Sequence, residues 1–148
     1  MTNVNRSFRI AIASDHAGIS LKKFLKEKLK DRGHEVYDIG PETTDKVDYP
    51  DYANMCCNSM EAGFAELGIL ICGSGIGMSI AANRRADIRC ALVSEPMSAE
   101  LSRKHNNSNV IAMGARLIGE DMAWKIVTTW LTTPFEGGRH EQRIAKLG

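Results

Sequence analysis

The chain has no excess of charge of either sign: 19 lysines and arginines face 18 aspartates and glutamates, for a formal net charge of +1. Bulk electrostatics therefore recruits neither nucleic acid nor an anionic membrane, and an anionic ligand must be caught by a local site. Long apolar runs are also missing. The longest are short and interrupted by Gly, Ser or charge, so no segment is expected to span a bilayer. Residues 1–9 are polar and carry two arginines without an apolar run, which argues against a signal peptide. Cysteine is sparse and poorly spaced for cross-linking. Cys56, Cys57, Cys72 and Cys90 form no CxxC, and two of them are adjacent, so neither a disulfide framework nor a zinc site is expected. A reducing cytoplasm is the expected location. The absence of GxxxxGK[ST] speaks against nucleoside triphosphate hydrolysis, and the absence of HxxxH and HExxH against a bound metal.

What is present suits one globular domain spanning 1–148, with a hydrophobic fraction of 43% and a charged fraction of 25%. Apolar runs alternate with stretches of helical period, which predicts an α/β fold: a single Rossmann-like three-layer domain around a five-stranded parallel sheet. Strands are expected at 8–14, 34–39, 67–72, 88–93 and 109–113. Helices are expected at 19–31, 52–65, 76–85, 98–105 and 120–131, with a short charged helix at 139–147. In the first helix Leu21, Phe24, Leu25 and Leu29 recur at helical spacing with lysines between them, and Gly33 closes it with a left-handed cap. In such folds ligands bind beyond the carboxyl ends of the strands.

That rule singles out a few segments. After the third strand comes Cys72-Gly73-Ser74-Gly75-Ile76-Gly77. Its alternating glycines let backbone N–H groups approach a ligand, and the next helix adds its positive end, a cradle for a phosphate or an enediolate oxygen. The alternative is a tight turn in which glycine merely permits the geometry. Cys72 stands at its mouth, where a helix N-terminus favours a thiolate base or nucleophile, against the commoner fate of a buried structural thiol. Cys56, Cys57 and Cys90 read as structural. Asp15-His16 after the first strand is an acid/base pair or sugar clamp, or else a helix cap with a histidine in its first turn. His105-Asn106 at the end of the fourth helix supplies a proton-transfer group or a favourable helix terminus. Arg139 and Arg143, at i,i+4, would share an anion between them or form a solvated basic tail. Arg116 follows the fifth strand. Tyr49 reads as a loop anchor, and His34 and His140 as weaker candidates. The first turn holds one glycine rather than GxGxxG, although Asp38 at the end of strand two mimics a ribose-binding acid. A non-catalytic nucleotide-binding domain is therefore a rival from another class, as is acyl transfer by Cys72, which lacks a clear base partner.

Taken together, IASDHAG, VDYPDYA, GILICGSGIGMSIAAN, IRCALVSEPMSAELSRKHNNSNVIAMGAR and FEGGRHEQR resemble the type B ribose-5-phosphate isomerases, in order and over almost the whole chain. Relatives of that family include the galactose-6-phosphate isomerase subunits and the allose-6-phosphate isomerases. The resemblance implies an aldose–ketose isomerase acting on ribose 5-phosphate and ribulose 5-phosphate through a cis-enediolate, with no cofactor. A six-carbon sugar phosphate is the nearest alternative substrate. It also implies that Cys72 is the base and that the backbone of Gly73, Ser74, Gly75, Ile76 and Gly77 is the anion hole, with Ser74 assisting at the reacting oxygens. By the same resemblance His105 helps open the furanose ring and Asp15 holds sugar hydroxyls. His16, Arg139 and Arg143 bind phosphate, with Arg116 a further candidate, and Tyr49 and Asn106 contact the sugar. One subgroup replaces the cysteine by serine and uses a nearby glutamate; here the cysteine is present and 75–79 contains no acid. The family is dimeric or tetrameric, with His105 reaching a partner's site.

Overall fold

The computed structural model describes residues 6–148; the first five residues of the polar 1–9 segment lie outside the described residues. Strand β1 (Arg9–Ser14) leads through a short 3₁₀ turn, His16–Gly18, into α1 (Ile19–Asp31). The chain continues with β2 (Glu35–Gly40), α2 (Tyr49–Glu61), β3 (Leu67–Cys72), α3 (Ile76–Ala82) and β4 (Cys90–Leu92). It ends with α4 (Pro96–Asn106), β5 (Val110–Gly114), α5 (Glu120–Leu131) and α6 (Arg139–Ala145). The strands form one parallel sheet in the order β2-β1-β3-β5-β4. The chain winds outward from β1 to β2 and then returns to β3 on β1's other side. The β1/β3 junction is thus the switch point, where a doubly wound fold opens its ligand crevice.

Strand side chains alternate between two cores, as the pleat requires. Ile10, Ile12, Ile69, Ile71, Ile111 and Met113 pack with Leu25, Leu29, Ile126 and Trp130 on the face covered by α1 and α5. The other face is built mostly from smaller side chains. Ala11, Ala13, Leu70, Cys72 and Ala112 meet Ala53, Cys56, Met78 and Ala82 of α2 and α3. Small residues let these two helices lie close to the sheet, and Cys72 belongs to this face.

The expected elements are all present, and the differences at their ends have local causes. Helices α2 and α4 start earlier than periodicity suggests because Pro50 and Pro96 occupy their first turns, where proline costs no hydrogen bond. Tyr49 is consequently a helix residue, not a loop residue. Strand β4 is shorter than 88–93, and its free outer edge is covered by a side chain: Asn83 Oδ1 accepts from Cys90 N at 2.8 Å, and Asn83 Nδ2 donates to Cys90 O at 2.9 Å. Gly33 adopts φ 88°, the left-handed cap expected of it.

Asp38 is not a free ribose acid. It accepts from Lys22 Nζ at 2.7 Å, Lys26 Nζ at 3.1 Å and Gly40 N at 2.9 Å. Burial alone would raise its carboxyl, but the lysine hydrogen bonds outweigh that and hold it below the usual range. Lys22, itself fully buried, also donates to Pro41 O at 2.8 Å and so ties the loop after β2 to α1. The main sequence support for a nucleotide-binding domain is thereby removed.

Candidate active site

The β3–α3 turn is clamped by β5. Ala115 N donates to Cys72 O at 2.8 Å and Arg116 N to Gly73 O at 3.0 Å. Gly75 takes φ 81°, and a Cβ there would lie 2.8 Å from both the Met113 carbonyl carbon and Leu92 Cδ1. A side chain at residue 75 would thus be strained in backbone and in space. This geometry aims Gly75 N–H at Cys72 Sγ, 3.1 Å away. Ser74 Oγ accepts from Ile76 N at 3.2 Å, meeting one of the unpaired donors at the start of α3.

Tyr49, Cys72, Gly73, Ser74, Gly77, Arg116 and Leu117 line a cleft of about 340 Å³. The Tyr49 ring lies across Gly77, and Arg116 packs against Gly73 without an acidic partner among the described residues. A larger cavity, about 720 Å³, runs from Asn83 to the C-terminal Gly148 and contains Cys90 but not Cys72. Another, about 400 Å³, lies at the amino ends of the strands, away from the switch point. Its Arg89 and Arg103 are spent on Asn106, Asn107, Ser108 and Thr133.

Asp15 caps the turn after β1, as one of its two expected roles requires: its Oδ1 accepts from Ala17 N at 2.9 Å while Asp15 N donates to Ile71 O at 3.0 Å. The carboxylate is about nine-tenths buried beside the end of β3. His16 Nδ1 accepts from Val47 N at 3.3 Å, so in the neutral ring the proton sits on Nε2, leaving a donor for an anion.

The remaining candidates form a second group. His105 and Asn106 end α4, while Arg139 and Arg143 lie exposed on α6 without carboxylate partners among the described residues. None of the four lines the Cys72 cleft. Instead His105 stacks on His140, ring centres 4.6 Å apart and planes 20° apart. Glu136 Oε1 lies 3.9 Å from His105 Nε2 and 3.4 Å from His140 Nε2. Sequence reasoning passed over Glu136 and ranked His140 low; the signal was their i,i+4 spacing across Gly137-Gly138.

Burial pushes the thiols of Cys56 and Cys90 far up, with neighbouring cysteines adding to the effect. Cys57 is raised by burial too, despite Arg85. Cys72 alone of the four opens on the cleft.

Residues 10–147 match the family described as Ribose/Galactose Isomerase. The chain is 47% identical over 139 residues to ribose-5-phosphate isomerase B of Escherichia coli, covering 94% of this chain and 93% of that one. The crystal structure of a ribose 5-phosphate isomerase from Thermotoga maritima superposes with a TM-score of 0.94 at 51% identity, covering 96% and 98% of the two chains. Ribose-5-phosphate isomerase B from Mycoplasma genitalium, solved with bound ribulose-5-phosphate, superposes with a TM-score of 0.91 at 43% identity over 95% and 94%. With a match along nearly its whole length, the chain belongs to the ribose/galactose isomerase family.

Proposed function

We propose that this protein interconverts D-ribose 5-phosphate and D-ribulose 5-phosphate by proton transfer through a cis-enediolate. The observation that carries the reading is the Cys72 sulfur at the mouth of a glycine turn, held by Gly75 N–H at 3.1 Å and facing the cleft that Tyr49, Ser74 and Arg116 also line. In this reading the Cys72 thiolate takes the C2 proton of the open-chain aldose and returns it to C1 of the enediolate. Meanwhile a proton passes between the two oxygens, giving the ketose. No electrons leave the substrate, so the step needs no redox partner. Backbone N–H groups of residues 73–77 and Ser74 Oγ stabilise the enediolate oxygens. Asp15, Tyr49 and Asn106 hold sugar hydroxyls, while His16, Arg139 and Arg143, with Arg116 at the cleft wall, take the phosphate.

Ring opening falls to His105, which lies in the second group with Asn106, Arg139 and Arg143. Two separate groups on one chain support a site assembled from the cleft of one subunit and the α4–α6 edge of another, in a homodimer or homotetramer. The α6 helix then serves both the phosphate site and assembly. Four free cysteines suit a reducing cytoplasm, and no helix among the described residues is long and apolar enough to cross a membrane. The test is turnover of ribose 5-phosphate by purified protein with a chelator present, beside galactose 6-phosphate. A higher kcat/KM on the six-carbon sugar would overturn the substrate assignment.

A further inference from the structure

His140 is 5% exposed, and its Nε2 has no hydrogen-bond partner among the described residues. A buried imidazole with an unpaired nitrogen is unfavourable, so its surroundings should offer a reason. They contain two things: the His105 ring stacked on it and the Glu136 carboxylate facing both Nε2 atoms. The backbone is shaped to produce this meeting. Gly137 and Gly138 take φ 71° and 59°, folding Glu136 back over the first turn of α6. Glu136 N then donates to Lys104 O at 3.1 Å, fixing that loop to the end of α4 beside His105. Lys104, the cation next to His105 in the chain, makes its ion pair with Glu100 at 3.0 Å.

The three ligand atoms lie within 4.8 Å of one another, but the rings are set wrongly for a shared metal. A metal bound to both Nε2 atoms must lie near both ring planes. Planes only 20° apart with centres 4.6 Å apart do not meet within bonding distance. The arrangement is that of a held ring rather than a chelate.

We propose that Glu136 and His140 are positioning residues for His105: His140 is the buried platform on which the His105 ring lies, and Glu136 bridges the two imidazoles to fix its orientation toward a substrate's furanose ring. This inference rests on His105 being the ring-opening group. Held in this way, His105 approaches the ring oxygens in a single pose rather than as a mobile side chain at an exposed helix end.

Substrate chemistry separates this from a general structural role. Ribose 5-phosphate is a furanose that must open before isomerisation. Ribulose 5-phosphate has no furanose to open because its C5 oxygen carries the phosphate, so its conversion to the enediolate bypasses the ring step. Glu136→Gln and His140→Ala should therefore lower kcat/KM on ribose 5-phosphate by about tenfold or more. Turnover in the two directions is tied by the equilibrium constant and falls together, whereas solvent deuterium entering C1 of ribulose 5-phosphate, which needs only the enediolate and is read by NMR, should stay within about twofold of wild type. His140→Phe, which keeps an aromatic platform, should recover part of the His140→Ala loss. Equal losses of turnover and of deuterium exchange would overturn the inference, as would no loss in either, with folding of each variant checked by circular dichroism. The His105→Ala control distinguishes the two levels: undiminished turnover of ribose 5-phosphate by that variant would remove the ring-opening assignment itself.

Discussion

Gly77 lies in the first turn of α3 with the Tyr49 ring across it, and a Cβ at residue 77 would stand 2.5 Å from Tyr49 Cε1 and 2.6 Å from Cζ. Its backbone is helical and not in the left-handed region. Alanine there gains up to about 1 kcal/mol of helix propensity and loses only what displacing Tyr49 costs. Overpacking typically costs roughly 1–3 kcal/mol, and the low end applies because Tyr49 is 40% exposed and can swing outward. Gly77→Ala should thus leave stability within about 2 kcal/mol of wild type while moving Tyr49 out of the cleft it lines. An activity loss of around tenfold in kcat/KM corresponds to about 1.4 kcal/mol of transition-state binding. Urea unfolding and steady-state kinetics on Gly77→Ala, Tyr49→Ala and the double variant give the coupling directly. In the Tyr49→Ala background Gly77→Ala should become neutral or stabilising, with a coupling energy of at least about 0.5 kcal/mol. Additive effects in both assays would refute the contact as the cause.

Three other perturbations probe separate parts of the structure. Asp38→Asn leaves Lys22 charged and buried without its carboxylate, which should cost about 3–5 kcal/mol. Since the folded carboxyl lies below its unfolded value, the wild-type contribution is complete above the unfolded pKa and fades as pH falls through the folded one. Urea melts from pH 7 to pH 3 should therefore bring variant and wild type together; a constant difference would contradict the ion-pair origin. Iodoacetamide should modify Cys72 before Cys56, Cys57 or Cys90, whose thiols burial pushes up, and ribose 5-phosphate should protect it, as read by peptide mass spectrometry. Mixed Cys72→Ala and His105→Ala subunits should regain part of the activity that neither has alone; no recovery after proven subunit exchange would mean that each chain completes its own site.

Much of this was legible in the sequence because local and tertiary signals agree. Helix α1 begins and ends where its apolar period and Gly33 put it, and β3 runs to Cys72 as read. The prolines that start α2 and α4 were visible, but the residues beside them show no helical apolar period. The cover on the outer edge of β4 depends on Asn83, a residue seven positions away whose side chain takes the place of a neighbouring strand. At the site, the glycine turn was readable because its backbone demands are local. The Glu136–His140–His105 cluster was not, since it exists only after Gly137 and Gly138 reverse the chain and α6 docks on α4. Nor does one chain's sequence state that the two groups of candidate residues stand apart; that follows from the placement of α4 and α6 relative to the switch point.

The most direct test of the central claim is the turnover of folded Cys72→Ala on ribose 5-phosphate. A positioned general base contributes about 10²–10⁴-fold in rate, so kcat should fall by at least about 10²-fold while a substrate-analogue phosphate still binds. Turnover near that of wild type by the folded variant would contradict the assignment of Cys72 as the base and, with it, the mechanism proposed for this fold.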